Sequence, residues 1–188
     1  MDRSPLRSRP AVLLLAAALA LTLVLGSTFV VLHHLKASPG ASMEMPADPF
    51  SDAESLEQVL RAAQQFVTAG RLGAPRGSYL LKSCTQNEDP PYQGTAYLNF
   101  DVPSITETPA YFRRIAAALV ARGWTEGVSP NRHPGGKVLA QEGVTALFYR
   151  DPDVPGRGVL QIYGECRNAT DHRTDTTGFV DITGRLSD

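Results

Sequence analysis

Hydrophobic positions change their spacing several times along this chain, and each change marks an element. From Ala11 to Leu32 they are continuous: AVLLLAAALALTLVLGSTFVVL runs for twenty-two residues without a charge. As a helix rising ~1.5 Å per residue this is about 33 Å, enough to cross a hydrocarbon core of roughly 30 Å. The pattern then lapses. Residues 33–50 read as a linker, since ASPGASMEMPADPFS holds three prolines and a glycine with little periodicity.

Helical spacing appears next. Leu56, Val59, Leu60, Ala63, Phe66 and Val67 fall on one stripe. Ser51 with Glu54 fits a capping box at its start, and Gly70 suits the left-handed residue that ends a helix. A second helix is predicted from Thr108, with Thr108 as its cap and Pro109 at the first helical position. Its stripe is Phe112, Ile115, Ala116, Leu119 and Val120, with Arg113, Arg114 and Arg122 off it, and Gly123 ends it. Trp124, the single tryptophan, reads as a core anchor.

Between and after the helices the spacing drops to two. Ser78–Cys84 predicts a strand with Leu80 and Leu81 on opposite faces. After the polar loop TQNEDPPYQG, Thr95–Asp101 alternates Ala96, Leu98 and Phe100 against Thr95, Tyr97, Asn99 and Asp101, the pattern of a strand with one wet face. A short strand is expected near Lys137–Gln141, then a hairpin from Gly143 to Cys166 turning at DPDVPGRG. The polar segment 168–188 reads as a tail, with one possible edge strand at Phe179–Ile182. No internal repeat is visible. Helix, strand, strand, helix and a run of short strands make residues 51–167 an α+β domain. Its two helices should pack on one face of a largely antiparallel sheet.

Charge adds orientation. Arg3, Arg7 and Arg9 precede the apolar run, which places residues 1–10 in the cytoplasm and the domain outside. An uncleaved single-pass anchor at 11–32 is favoured over a signal sequence, because that apolar region is long and Phe29–Leu32 follow the small residues Gly26 and Ser27. From Ala37 onward 14 basic and 18 acidic residues leave a net charge of about −4, and no basic stripe exists for nucleic acid.

Candidate chemistry is sparse. Outside the cytoplasm the two cysteines, Cys84 and Cys166, predict a disulfide. Their spacing gives no C-x-x-C redox motif, and a metal site built on two cysteines and scattered histidines is weaker still. His33 and His34 flank the apolar run, His133 lies in a Pro/Gly loop, and His172 follows Asp171 in the tail. None of the nucleophile-elbow, zinc-protease or phosphate-loop motifs occurs. Glu88-Asp89 and Asp151/Asp153 read as turn residues rather than a calcium site. Asn168-Ala169-Thr170 fits a glycosylation sequon, a short pattern common by chance. No catalytic, cofactor or metal residue is assigned.

The runs CTQNEDPPYQGTAYLNF, YFRRIAAALVARGW, GVTALFYRDP and GECRNATDH together resemble a group of small mycobacterial and related actinobacterial envelope proteins, the LppJ lipoprotein type. The similarity covers about Gln58 to Asp175. It implies a location, the outward-facing cell envelope, and supplies no activity, substrate or catalytic residue. This chain departs from the lipoprotein pattern, for no cysteine follows the apolar run: Ser27 and Thr28 stand there. The expectation is therefore a non-catalytic, membrane-anchored interaction or accessory module with an envelope protein partner, helped by Arg113, Arg114 and Arg122. The alternative is a small-molecule or lipid binder with a cavity beside Ala116, Ala117 and Ala118. A hydrolase stands further behind.

Overall fold

Ser51 begins the ordered helix as its sequence requires. Its hydroxyl accepts from the Glu54 N–H at 3.3 Å while the Glu54 carboxylate accepts from the Ser51 N–H at 2.8 Å. Helix α1 then runs Asp52–Gly70, and its stripe is buried at Val59, Leu60, Ala63 and Phe66. Arg71, not Gly70, takes the left-handed conformation that closes it, with φ 52°. Gly70 has a different use, because a Cβ there would meet Ile115 Cγ2 at 3.3 Å. It lets the two helices approach.

The computed structural model describes residues 48–128, 133–176 and 178–187. The expected cytoplasmic terminus, the apolar segment Ala11–Leu32 and all but the end of the linker lie outside them. Among the described residues no helix is long and apolar enough to cross a membrane. Strands β1 (Gly73–Ser83) and β2 (Tyr92–Asp101) both start earlier than their alternation suggests, and the loop between them contains a cis Pro90–Pro91 bond. Helix α2 spans Thr108–Val120. Its cap is Glu107, one residue before the expected Thr108. The Thr108 hydroxyl donates instead to the Ser104 carbonyl at 2.9 Å and accepts from Arg150.

Five more strands follow: β3 (Thr125–Glu126), β4 (Lys137–Gln141), β5 (Val144–Arg150), β6 (Arg157–Tyr163) and β7 (Val180–Asp181). They join β1 and β2 in one seven-stranded sheet of order β3-β4-β5-β6-β2-β1-β7, every ladder antiparallel. Ala96, Leu98 and Phe100 of β2, Ala146 and Phe148 of β5, and Leu160 and Ile162 of β6 share one face and form the core with both helices. Trp124 is buried there, edge-on to Phe66 at 5.1 Å, its indole N–H donating to Gln65 Oε1 at 2.7 Å. The architecture is the two-layer α+β domain read from the sequence.

The segment after Cys166 does more than form an edge. Past β7 a 3-10 turn, Thr183–Arg185, delivers Ile182 and Leu186 into the core, each 1% exposed. Gly77 makes room for both: a Cβ there would meet each of them at 3.2 Å. Arg185 pairs with Glu57, and its carbonyl accepts from Gln64, so the turn is tied to α1.

Candidate functional site

Cys84 and Cys166 form a disulfide across 82 residues, fastening the end of β1 to the segment after β6. Among the described residues no cysteine is free.

Most of the remaining candidate residues are engaged in structure. Asp151 caps the β5–β6 turn, accepting from the Asp153 and Val154 amides at 2.8 and 3.1 Å and from Arg157 Nε at 2.8 Å. The amide bond from Asp153 is the main cause that holds its carboxyl below the usual range. Asp89 reaches Arg173 at 2.9 Å, and Asp171 grips the same guanidinium at 2.6 Å, which lowers the Asp171 carboxyl to about 2. Asn168 is fully buried. Its amide donates to Asp52 Oδ1 at 2.7 Å and its oxygen accepts from the Thr170 N–H at 2.9 Å, so the sequon amide is closed to modification in the folded chain.

His172 is not paired with adjacent Asp171. Its Nδ1 lies 2.7 Å from Asp175 and its Nε2 3.2 Å from Asp52, with only 7% of the side chain exposed and its ring edge-on to Tyr92. This cluster ties the tail to the first turn of α1. Among the described residues no three His, Cys, Asp or Glu side chains are placed to hold a metal ion. Arg114 stacks over Tyr111 at 5.0 Å and Arg122 donates to the Ala118 carbonyl, while Arg113 is exposed. Ala116 is buried between the layers and Ala117 is exposed. None of Ala116, Ala117 and Ala118 lines the recess that lies at the β1 edge of the sheet.

The feature that sequence reasoning missed is the other face of the sheet. Both helices use one face, and the opposite one carries a belt of rings on three neighbouring strands. Register places Tyr97 of β2 beside Gln161 of β6, and Gln161 beside Leu147 of β5. The Tyr163 hydroxyl donates to Gln161 Oε1 at 2.8 Å, and Gln161 Nε2 donates to the Tyr149 hydroxyl at 3.2 Å. Lys82 lies 5.9 Å from the Tyr163 ring centre, Phe179 meets Tyr97 edge-on at 5.7 Å, and His133 stacks on Tyr149 at 3.6 Å. Burial pushes the Tyr163 phenol up to about 12. Phe179 is 66% exposed at the margin of this belt. A signal was present in the alternation that put Tyr97 on the wet face, but only strand order brings Tyr149 and Tyr163 to it.

Comparison with known proteins agrees with the resemblance. The family model described as "Putative lipoprotein LppJ" matches residues 51–185. That range ends at the 3-10 turn that closes the core. A protein of Mycobacterium bovis (strain ATCC BAA-935 / AF2122/97) named "Putative lipoprotein LppJ" is 37% identical over 175 residues, covering 92% of this chain and 90% of the relative. Proteins of the same name from Mycobacterium tuberculosis strains CDC 1551 and H37Rv are 35% identical over 174 residues, with the same coverage. No solved structure matches.

Proposed function

The chain belongs to the LppJ family, and from that premise we propose that it is a non-catalytic docking module of the cell envelope, with the helix-free face of its sheet as the surface for a protein partner. The half-buried Tyr97, Tyr163 and Gln161 carry this reading, with buried Tyr149 bracing Gln161. Tyrosine is enriched at protein interfaces because it offers a large rigid ring with a polar tip. Here the Tyr149 and Tyr163 hydroxyls are already held by hydrogen bonds to Gln161, so docking would cost little entropy at those side chains. Phe179 adds an exposed apolar contact at one margin. The bond of His172 Nδ1 to Asp175, which helps hold the tail, supports a non-catalytic role.

The relatives' name includes the word lipoprotein, and lipid attachment at an apolar leader uses a cysteine. Both cysteines of this chain are spent in the disulfide. The reading therefore holds the domain outside the membrane by the apolar segment Ala11–Leu32, as a single-pass protein.

The test places a photo-crosslinking amino acid at Tyr97, and separately at Arg113 on the outer side of α2, in the full chain in its own envelope. A single adduct of defined mass is expected from Tyr97, weakened by Tyr163→Ala, with none from Arg113. Adducts from Arg113 alone, or from neither position, would overturn the docking face.

A further inference from the structure

Strand β1 is eleven residues long, yet β7 pairs only with its Ser78 and Tyr79. Bonding direction along β1 follows from its ends. The Ile182 N–H donates to the Gly77 carbonyl and the Gly77 N–H to Thr183 Oγ1, so odd-numbered residues turn their backbone groups toward the β7 side. The Cys84 N–H donates to the Pro91 carbonyl, so even-numbered positions face β2. Continuing the β1–β7 register would set Gly178 opposite Leu81, but that pair does not form and the tail peels away. The edge-facing amides and carbonyls of Leu81 and Ser83 have no partner among the described residues.

The space left is a recess of about 690 Å³ between β1 and the tail. This is within the range of small-ligand sites, roughly 300–1,000 Å³. Both ends are closed, one by the β7 pairing and the other by the Arg173–Asp89 ion pair at 2.9 Å.

We infer that this recess takes a short free peptide of about three residues, extended and added to β1 as a strand. Unsatisfied backbone groups two residues apart repeat every ~6.7 Å, the interval of another extended peptide. The closed ends exclude a long through-running strand, since Leu80 to Ser83 spans only about 10 Å. Charge agrees. Of the ionic groups lining the recess, Arg173 is held by Asp171 and Asp89, and Asp175 by His172. Lys82 and Glu88 alone lack an ion-pair partner among the described residues; Lys82 reaches over the Tyr163 ring, so Glu88, at the Ser83 end, is the free charge left to meet the ammonium end of a peptide. Phe179 and Val180, 66% and 44% exposed, supply apolar contact. Lys82 and Phe179 border both this recess and the tyrosine belt, but the hydrogen-bonding edge of Leu81 and Ser83 belongs to the recess alone and does not depend on the docking role.

The experiment titrates the isotope-labelled full chain, in detergent micelles, with unblocked trivaline and follows backbone amide signals. Saturable shifts and slowed hydrogen exchange are expected at Leu81 and Ser83. Trivaline methylated on both peptide nitrogens should bind about tenfold more weakly, since each lost hydrogen bond accounts for roughly 2- to 10-fold. Gly178→Trp, placed where a Cβ meets nothing within 4 Å, should fill the recess and abolish the Ser83 response. Leu81→Pro, which removes one edge-facing donor and spares the β2 ladder, should weaken it; if that variant does not fold, Gly178→Trp decides. No saturable shift, equal binding of the methylated peptide, or an unchanged response in Gly178→Trp would each overturn the inference.

Discussion

Gly94 lies in β2 under the first turn of α1, and a methyl group there has nowhere to go. Its Cβ would fall on the Ser55 carbonyl, closer than any real contact, with the Tyr79 ring 3.3 Å away. The obstacle is helix backbone, which cannot rotate aside as a side chain would. Gly94→Ala must therefore lift the turn that holds the capping box, the Asp52–Asn168 bond and Val59. Overpacking of this kind costs ~1–3 kcal/mol, and backbone contact argues for the upper end. Against it stands the ~0.4–1 kcal/mol that alanine gains by restricting the unfolded chain. The net is a loss of about 2 kcal/mol, or roughly 4–8 °C in Tm for a domain of this size. Gly184→Ala is the control, because a Cβ there meets nothing within 4 Å, and it should change stability by less than ~0.5 kcal/mol. The assay is thermal and urea unfolding of the full chain in detergent, followed by circular dichroism and Trp124 fluorescence. If Gly94→Ala unfolds with the wild type, the close seating of α1 on β2 is wrong.

Three further outcomes are expected. Native chain should show no titratable thiol, and reduction should lower stability by up to about 4.5 kcal/mol, the loop-entropy value for a closed loop of this length; two thiols in unreduced protein would remove the bridge. Asn168→Ala should cost about 0.5–1.5 kcal/mol, the net worth of one hydrogen bond, because the exposed Asp52 carboxylate it releases can bond to water instead, checked by the same unfolding curves. The Asp171 carboxyl, lowered to about 2 mainly by the side-chain hydrogen bond from Arg173, should rise part of the way to the ordinary aspartate range in Arg173→Ala, since the backbone N–H at 173 still donates to it, as read by carbon NMR against pH. Because the folded value lies below the unfolded one of about 3.9, this pair favours the fold above pH ~4 and loses its effect as pH falls through 2. An Asp171 titration that ignores the substitution would show that the pair does not persist in solution.

Several elements were legible because their causes are local. The stripe of α1, its capping box and the alternation of β2 each follow from residues a few positions apart. Lys137–Gln141 forms a strand over the predicted residues. The disulfide was legible because the chain offers only two cysteines. Other signals were read with the wrong cause. Gly70 looked like a helix terminator, but its missing side chain serves Ile115 of α2 while Arg71 takes the left-handed turn. Asn168 fits a sequon pattern common by chance, and what the pattern does not show is that its amide is consumed inside the fold.

The sequence by itself determined the elements, the two-layer class and the cross-link, since periodicity, caps and cysteine count act along the chain or leave a single partner to choose. Tertiary structure alone decided the rest. Ile182 and Leu186 stand in a polar segment too short to show a period, and they are core residues only because Gly77 leaves a gap beside α1. Tyr97 meets the Tyr163–Gln161–Tyr149 chain only because the sheet order sets β2 between β6 and β1. The unpaired edge at Leu81 and Ser83 exists only because β7 stops after two pairs. Each depends on which distant segments become neighbours, and a one-dimensional pattern of polar and apolar residues carries no term for that choice.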